Sequence, residues 1–130
     1  MNLINTIQDA VKAAERFENH LQDNTSYLEW YEAENKIANA PVSDNIDFIC
    51  RIQRLIGFLE TILSQLEYAP QGKEIEMFRE LYKESNGSDK VYNVRSICSQ
   101  SMRKGTYDED LVRELNESLK RVETLYRTQI

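Results

Sequence analysis

Residues 46–66, IDFICRIQRLIGFLETILSQL, are the longest apolar-periodic run in the chain, and their spacing decides the fold class. On a helix of about 3.6 residues per turn, Ile49, Ile52, Ile56, Leu59, Leu63 and Leu66 share one seam at alternating steps of three and four. Leu55, Phe58 and Ile62 widen that seam to about half the circumference, so this helix needs neighbours on several sides. Cys50, Gly57 and Ser64 recur every seven residues on another side, which predicts close approach by a second helix, the first or the last. Burying the seam at ~1.5–3 kcal/mol per side chain outweighs the ~1 kcal/mol that Gly57 costs in mid-helix. Packing therefore holds this helix, with residues 44–68 as its expected extent.

Working outward, residues 3–21 repeat Leu3, Ile7, Ala10, Ala14, Phe17 and Leu21 behind Asn2, a candidate cap. Lys12, Arg16 and His20 form a cationic row opposite that seam, read as a solvated face with an anion- or RNA-contacting row as the alternative. Asp23 to Ser26 break the pattern and open a second helix, SYLEWYEAENKIANA, which ends before Pro41. Pro41 and Val42 make a short connection, with Ser43 as N-cap of the central helix and Asp44 and Asp47 at its positive end. Beyond the break at Ala69-Pro70-Gln71-Gly72, Ile75, Phe78, Leu81 and Tyr82 give a fourth helix its buried side. Asn86-Gly87-Ser88 closes it. A fifth helix, about residues 89–104, carries Val91, Val94, Cys98 and Met102 on one face, and Gly105 ends it. The last opens with Thr106-Tyr107-Asp108-Glu109, read as a capping box, and repeats Val112, Leu115, Leu119, Val122 and Tyr126. Its Glu109–Arg113, Glu117–Arg121 and Glu123–Arg127 pairs follow the favourable i, i+4 order.

These elements predict an all-α fold: residues 1–130 as a single compact domain of five to six antiparallel helices around the central one. The chain is long enough to bury a core without staples, and four Gly and two Pro leave little material for hairpins. Neither internal repeat nor low-complexity tract interrupts it.

Charge narrows the function classes. Twenty-two acids against sixteen bases give a net charge of −6, which opposes non-specific attraction to nucleic acid or anionic membrane. The expected partner is another protein with a basic surface. Residues 71–105 run locally positive through Lys83, Lys90, Arg95, Arg103 and Lys104, which solvated helix ends explain as readily as a nucleic-acid contact. No stretch approaches the length of a transmembrane helix and the N-terminal run has no uncharged apolar core, so a cytoplasmic location is the expectation. Cys50 and Cys98 have no metal-ligand spacing and are expected as reduced core thiols.

Chemistry-bearing motifs are scarce. His20 is the only histidine, which excludes a paired Glu-x-x-His di-metal site, and P-loop, dinucleotide and zinc-protease signatures are absent. No catalytic, metal or cofactor residue is assigned. Arg16-Phe-Glu-Asn-His20 resembles the Arg…His signature of HEPN-type ribonucleases, with three residues between the pair where those enzymes generally place four to six. That resemblance implies an RNA-cleaving helical protein using Arg16 and His20, and stands third among the readings.

The second helix supplies the leading one. It interleaves Tyr27, Trp30 and Tyr31 with Glu29, Glu32 and Glu34, and Glu34 falls among Tyr27, Trp30, Ile37 and Ala38. A carboxylate there needs a partner or an edge position. Aromatic anchors supply binding energy and carboxylates steer a basic partner toward them. These six residues are the candidate partner-binding site of a non-enzymatic domain: an inhibitor or antagonist, of the immunity-protein, toxin–antitoxin or phage anti-defence kind, acting on a basic protein such as a nuclease. The likeness to small acidic helical immunity proteins is one of composition. A structural or assembly helper, working as a helical homo-oligomer down to a homodimer, is the alternative. Tyr27, Trp30 and Tyr31 as plain core residues is the structural explanation of the same pattern.

Overall fold

The computed structural model describes residues 2–35 and 44–128, and the backbone alone of residues 32–35. Its helices are α1 (Leu3–Asp23), α2 (Tyr27–Asn35), α3 (Asp44–Leu66), α4 (Glu74–Glu84), α5 (Gly87–Lys104) and α6 (Glu109–Arg127). The expectations for Lys36 to Ser43, including the second helix's end before Pro41 and the Ser43 cap, lie outside the described residues.

Four of these helices close a ring in which α1 sits between α3 and α6, and α5 sits between α6 and α3. Each neighbouring pair is antiparallel. Phe17 late in α1 meets Phe48 early in α3 with ring centroids 5.2 Å apart. Arg51 of α3 donates to the Asn93 carbonyl of α5, while Phe58, two turns on, lies under Lys90, one turn back. Arg95 of α5 reaches both Asn116 and Glu123 of α6, and Arg16 of α1 pairs with Glu114 of α6. The result is an up-down-up-down four-helix bundle, with α2 in the α1–α3 connection and α4 leaning on α3, α5 and α6.

The core follows the apolar stripes. From α3 it takes Phe48, Ile49, Ile52, Leu55, Phe58, Leu59, Ile62 and Leu66, whereas Ile56 and Leu63 are only half-buried. The buried side is thus rotated toward the residues that widened the expected seam, because α1 and α5 flank α3 on either side of it. Cys50, Gly57 and Ser64 are all exposed, and a Cβ built on Gly57 would meet nothing within 4 Å. None of the described helices covers that side, contrary to the close approach expected there. Cys50 is therefore a surface thiol. Cys98 is fully buried, and burial pushes its thiol up to about 12.

Helix ends explain other departures. Asn2 caps α1 as expected, its side chain accepting from the Asn5 amide at 3.0 Å. The N-cap of α6 is Asp108, accepting from the Leu111 amide at 3.1 Å, not Thr106. In α6 the Glu109–Arg113 and Glu123–Arg127 pairs form; Glu117–Arg121 does not among the described residues. Asn86 takes a left-handed φ of 53° and turns α4 into α5, freeing Gly87 to enter the first turn of α5. There a Cβ would lie 2.7 Å from the rings of Phe58 and Tyr82. On α5, Ser101 takes the buried place expected for Met102, which is 40% exposed.

Candidate functional site

The α2 backbone starts at a reciprocal cap. Ser26 Oγ accepts from the Glu29 amide at 3.2 Å, and Glu29 Oε2 accepts from the Ser26 amide at 2.7 Å. Ser26-Tyr-Leu-Glu29 is thus a capping box, legible as S-x-x-E but not singled out in reading the sequence. Glu29 thus serves the helix start through one carboxylate oxygen.

Three apolar side chains point outward from this helix. Tyr27 is 82% exposed, Leu28 60% and Tyr31 47%; the two tyrosine rings lie 6.3 Å apart, tilted toward each other. At 100° per residue these three span a single arc, with Glu29 beyond one edge and Trp30 beyond the other. Trp30 is half-buried and packs on the core, so it anchors α2. The six candidate residues therefore divide: Tyr27 and Tyr31 on the surface, Trp30 against the core, Glu29 at the helix start. The side chains of Glu32 and Glu34 lie outside the described residues. Leu28 was missed, because a lone leucine among aromatics gives no periodic signal.

Beside α2 lies an open groove of about 540 Å³, whose wall includes Glu29, Asp44, Asp108, His20, Asn45 and Tyr107. Its framework is a chain of side-chain bonds joining three segments. Asn24 Nδ2 donates to the His20 carbonyl at 2.8 Å, Asn45 Nδ2 donates to the Asn24 carbonyl at 3.3 Å, and the Tyr107 hydroxyl donates to Asn45 Oδ1 at 2.7 Å. Tyr107 also sets its ring edge-on to Phe17, at 5.7 Å and 89°. Burial raises the Tyr107 phenol pKa, and the Asp44 and Glu29 carboxylates raise it further. Both carboxylates thus act at one point in the groove. A second groove of about 360 Å³ between α3 and α5 shares Asp44, Thr106 and Tyr107 with the first. It also holds Asp47, Arg51, Lys104 and Ser101. Asp47 pairs with Arg51 at 3.1 Å. Ser101 is 3% exposed, and its Oγ is buried without a hydrogen-bond partner.

Other residues read from the sequence are engaged elsewhere. Arg16 pairs with Glu114; His20 lies against Phe17 with ring centroids 5.8 Å apart and the planes tilted by 41°, and accepts from the Asp108 amide at 3.5 Å through Nε2. In the locally positive stretch, Lys90 bonds the Ser85 carbonyl and lies over the Phe58 ring, while Arg95 joins Asn116 and Glu123. No group of three or more His, Cys, Asp or Glu side chains suited to a metal ion occurs among the described residues, and no helix there is long and apolar enough to cross a membrane. The chain matches no protein-family model, no curated protein and no solved structure.

Proposed function

We propose that this chain is a non-enzymatic protein–protein interaction domain that binds a basic partner through α2, and that it acts as an inhibitor or antagonist of that partner. One observation carries the reading: Tyr27, Leu28 and Tyr31 face solvent together on one arc of α2, whereas the other exposed large apolar side chains among the described residues, Tyr68, Tyr92 and Met102, belong to other segments of the chain. Exposed tyrosines on a helix fixed by Trp30 offer contact area with few rotatable bonds, which is how interface anchors gain affinity. Acidic groups at the same end of the bundle favour a basic partner and speed its approach. A nuclease, which must itself be basic to hold nucleic acid, is a partner of that chemistry.

The test has two parts. Sedimentation velocity at low concentration gives a monomer for a domain that binds another protein, and a dimer or larger for the homo-oligomeric assembly helper. A partner isolated from the native host and identified is then titrated calorimetrically with the parent and with Tyr27→Ser/Tyr31→Ser. The expected result is loss of at least about tenfold in affinity with an unchanged melting curve, and an association rate that falls as salt rises. Equal affinity of parent and variant for every partner recovered removes α2 from the function.

A further inference from the structure

We propose that His20 is a proton-sensitive link at the end of the bundle where α2 docks. Neutral, it ties the end of α1 to the turn before α6; protonated, it releases that turn and offsets the acidic charge of the groove beside α2. Its consequence for a partner rests on the reading of α2 as a docking element. The ring is half-buried in the last turn of α1, and each of its nitrogens faces an N–H group. The Asp108 amide, from the residue that caps α6, approaches Nε2 at 3.5 Å, and the Asn24 side-chain amide lies 3.5 Å from Nδ1. A neutral imidazole has one acceptor nitrogen and one N–H, so it satisfies only one of these two donors. The Asn24 amide already donates to the His20 carbonyl at 2.8 Å, which leaves Nε2 to accept from Asp108 and puts the ring proton on Nδ1. A doubly protonated ring satisfies neither donor.

The cation has its own set of partners. On α1, Arg16 lies one turn back and is held by Glu114, while Asp23 lies one turn on. Glu29 of α2, Asp44 of α3 and Asp108 before α6 line the same groove as the ring, and no lysine or arginine does. Tyr107, the remaining titratable group there, stays neutral, because burial raises its phenol further from this range. The carbonyls that end α1 favour a positive charge as well. Proton uptake thus selects between two competing sets of contacts, N–H groups for the neutral ring and carboxylates for the cation. Histidine is the side chain that ordinarily changes charge between about pH 5 and 8, and this chain has no other. Above that change a basic partner meets the full charge of the carboxylates; below it the groove is less negative by one unit, which slows the partner's approach.

NMR of the full 15N-labelled chain between pH 8 and 5.5 reads the link without any partner. At pH 8 the ring should carry its proton on Nδ1 with Nε2 bare, and the Asp108 amide shift should move in step with the ring's titration while staying still in His20→Gln. A proton on Nε2 at pH 8, or an Asp108 amide that ignores the ring, overturns the proposal. The charge of the groove is read with an N-acetylated hexalysine amide at low salt, whose own charge is constant in this range. The parent should bind it about threefold more weakly at pH 6 than at pH 7.5, the effect of one charge across ~7 Å of water. His20→Gln keeps an acceptor but takes up no proton, so it should bind about equally at both. The same pH dependence in parent and variant overturns the part of the ring in setting that charge. If the Asp108 amide follows the ring while the Tyr27→Ser/Tyr31→Ser protein binds every partner as the parent does, the α2 reading alone fails. If that protein loses its partner yet the amide ignores the ring, the link alone fails.

Discussion

Tyr82 is fully buried, stacked on Tyr126 at 4.4 Å and flanked by Phe58 and Phe78, and its hydroxyl has no hydrogen bond. Ser88 comes near enough to favour the phenolate slightly without reaching bonding geometry. Burial, followed by the Glu123 carboxylate, raises the Tyr82 pKa well above its ordinary value. A group raised in the folded state adds stability that is complete below its unfolded pKa and is lost as pH climbs through the folded one. Urea midpoints should therefore fall from about pH 8.5, where an unfolded thiol ionises while Cys98 does not, and more steeply above about 10 as unfolded tyrosines follow. Tyr82→Phe should keep or raise stability at neutral pH, by up to about 1 kcal/mol, and flatten the alkaline limb; chemical melts across that range check both. Gly87→Ala should cost about 1–3 kcal/mol, since its Cβ would collide with the Phe58 and Tyr82 rings. With a thiol reagent at neutral pH, Cys50 should react in the native protein and Cys98 only on unfolding.

Among the helices, α3 carries the fold and α2 carries the surface. Leu59, at the middle of α3 and fully buried, should cost ~2–5 kcal/mol when truncated to Ala, a large share of a total of ~5–15 kcal/mol, read from the thermal or urea midpoint. Glu29 behaves differently from a purely exposed acid. Its reversal to Lys removes half of the α2 capping box as well as a steering charge, so it should destabilise α2 by about 0.5–2 kcal/mol besides slowing association. Amide exchange confined to α2 separates the two effects, because loss of the cap speeds exchange at the helix start whatever the partner does.

Across the whole molecule, the ring of α1, α3, α5 and α6 gathers three chain segments at one end: the end of α1, the start of α3 and the turn before α6. The acids at this end lie far apart in the chain, at Glu29 in the following α2, Asp44 at the start of α3 and Asp108 before α6, and share a wall only because antiparallel packing brings these helix ends together. Adding salt should weaken partner binding chiefly through a slower association, with dissociation little changed, as stopped-flow traces at several ionic strengths would read.

The six helices of the described residues, the caps at Asn2 and Gly105 and most of the buried stripe follow from local chemistry, since a period of 3.6 and a helix-terminating residue act over a few positions. The aromatic and acidic make-up of Tyr27 to Tyr31 was legible in the same way. Three matters needed the packed bundle. The buried side of α3 was ambiguous over half a turn until α1 and α5 took their places, which is why Cys50, Gly57 and Ser64 emerged on the surface. Gly87 read as a turn residue because a sequence does not contain the rings of Phe58 and Tyr82 that exclude a side chain there. Whether Tyr27, Trp30 and Tyr31 face water or core was equally open, as a helix that interleaves aromatics with carboxylates has no single apolar side to dock by; Trp30 turned inward, leaving Tyr27, Leu28 and Tyr31 outside. Periodicity is a property of one helix, whereas burial belongs to pairs of helices, and only the fold supplies the pairs.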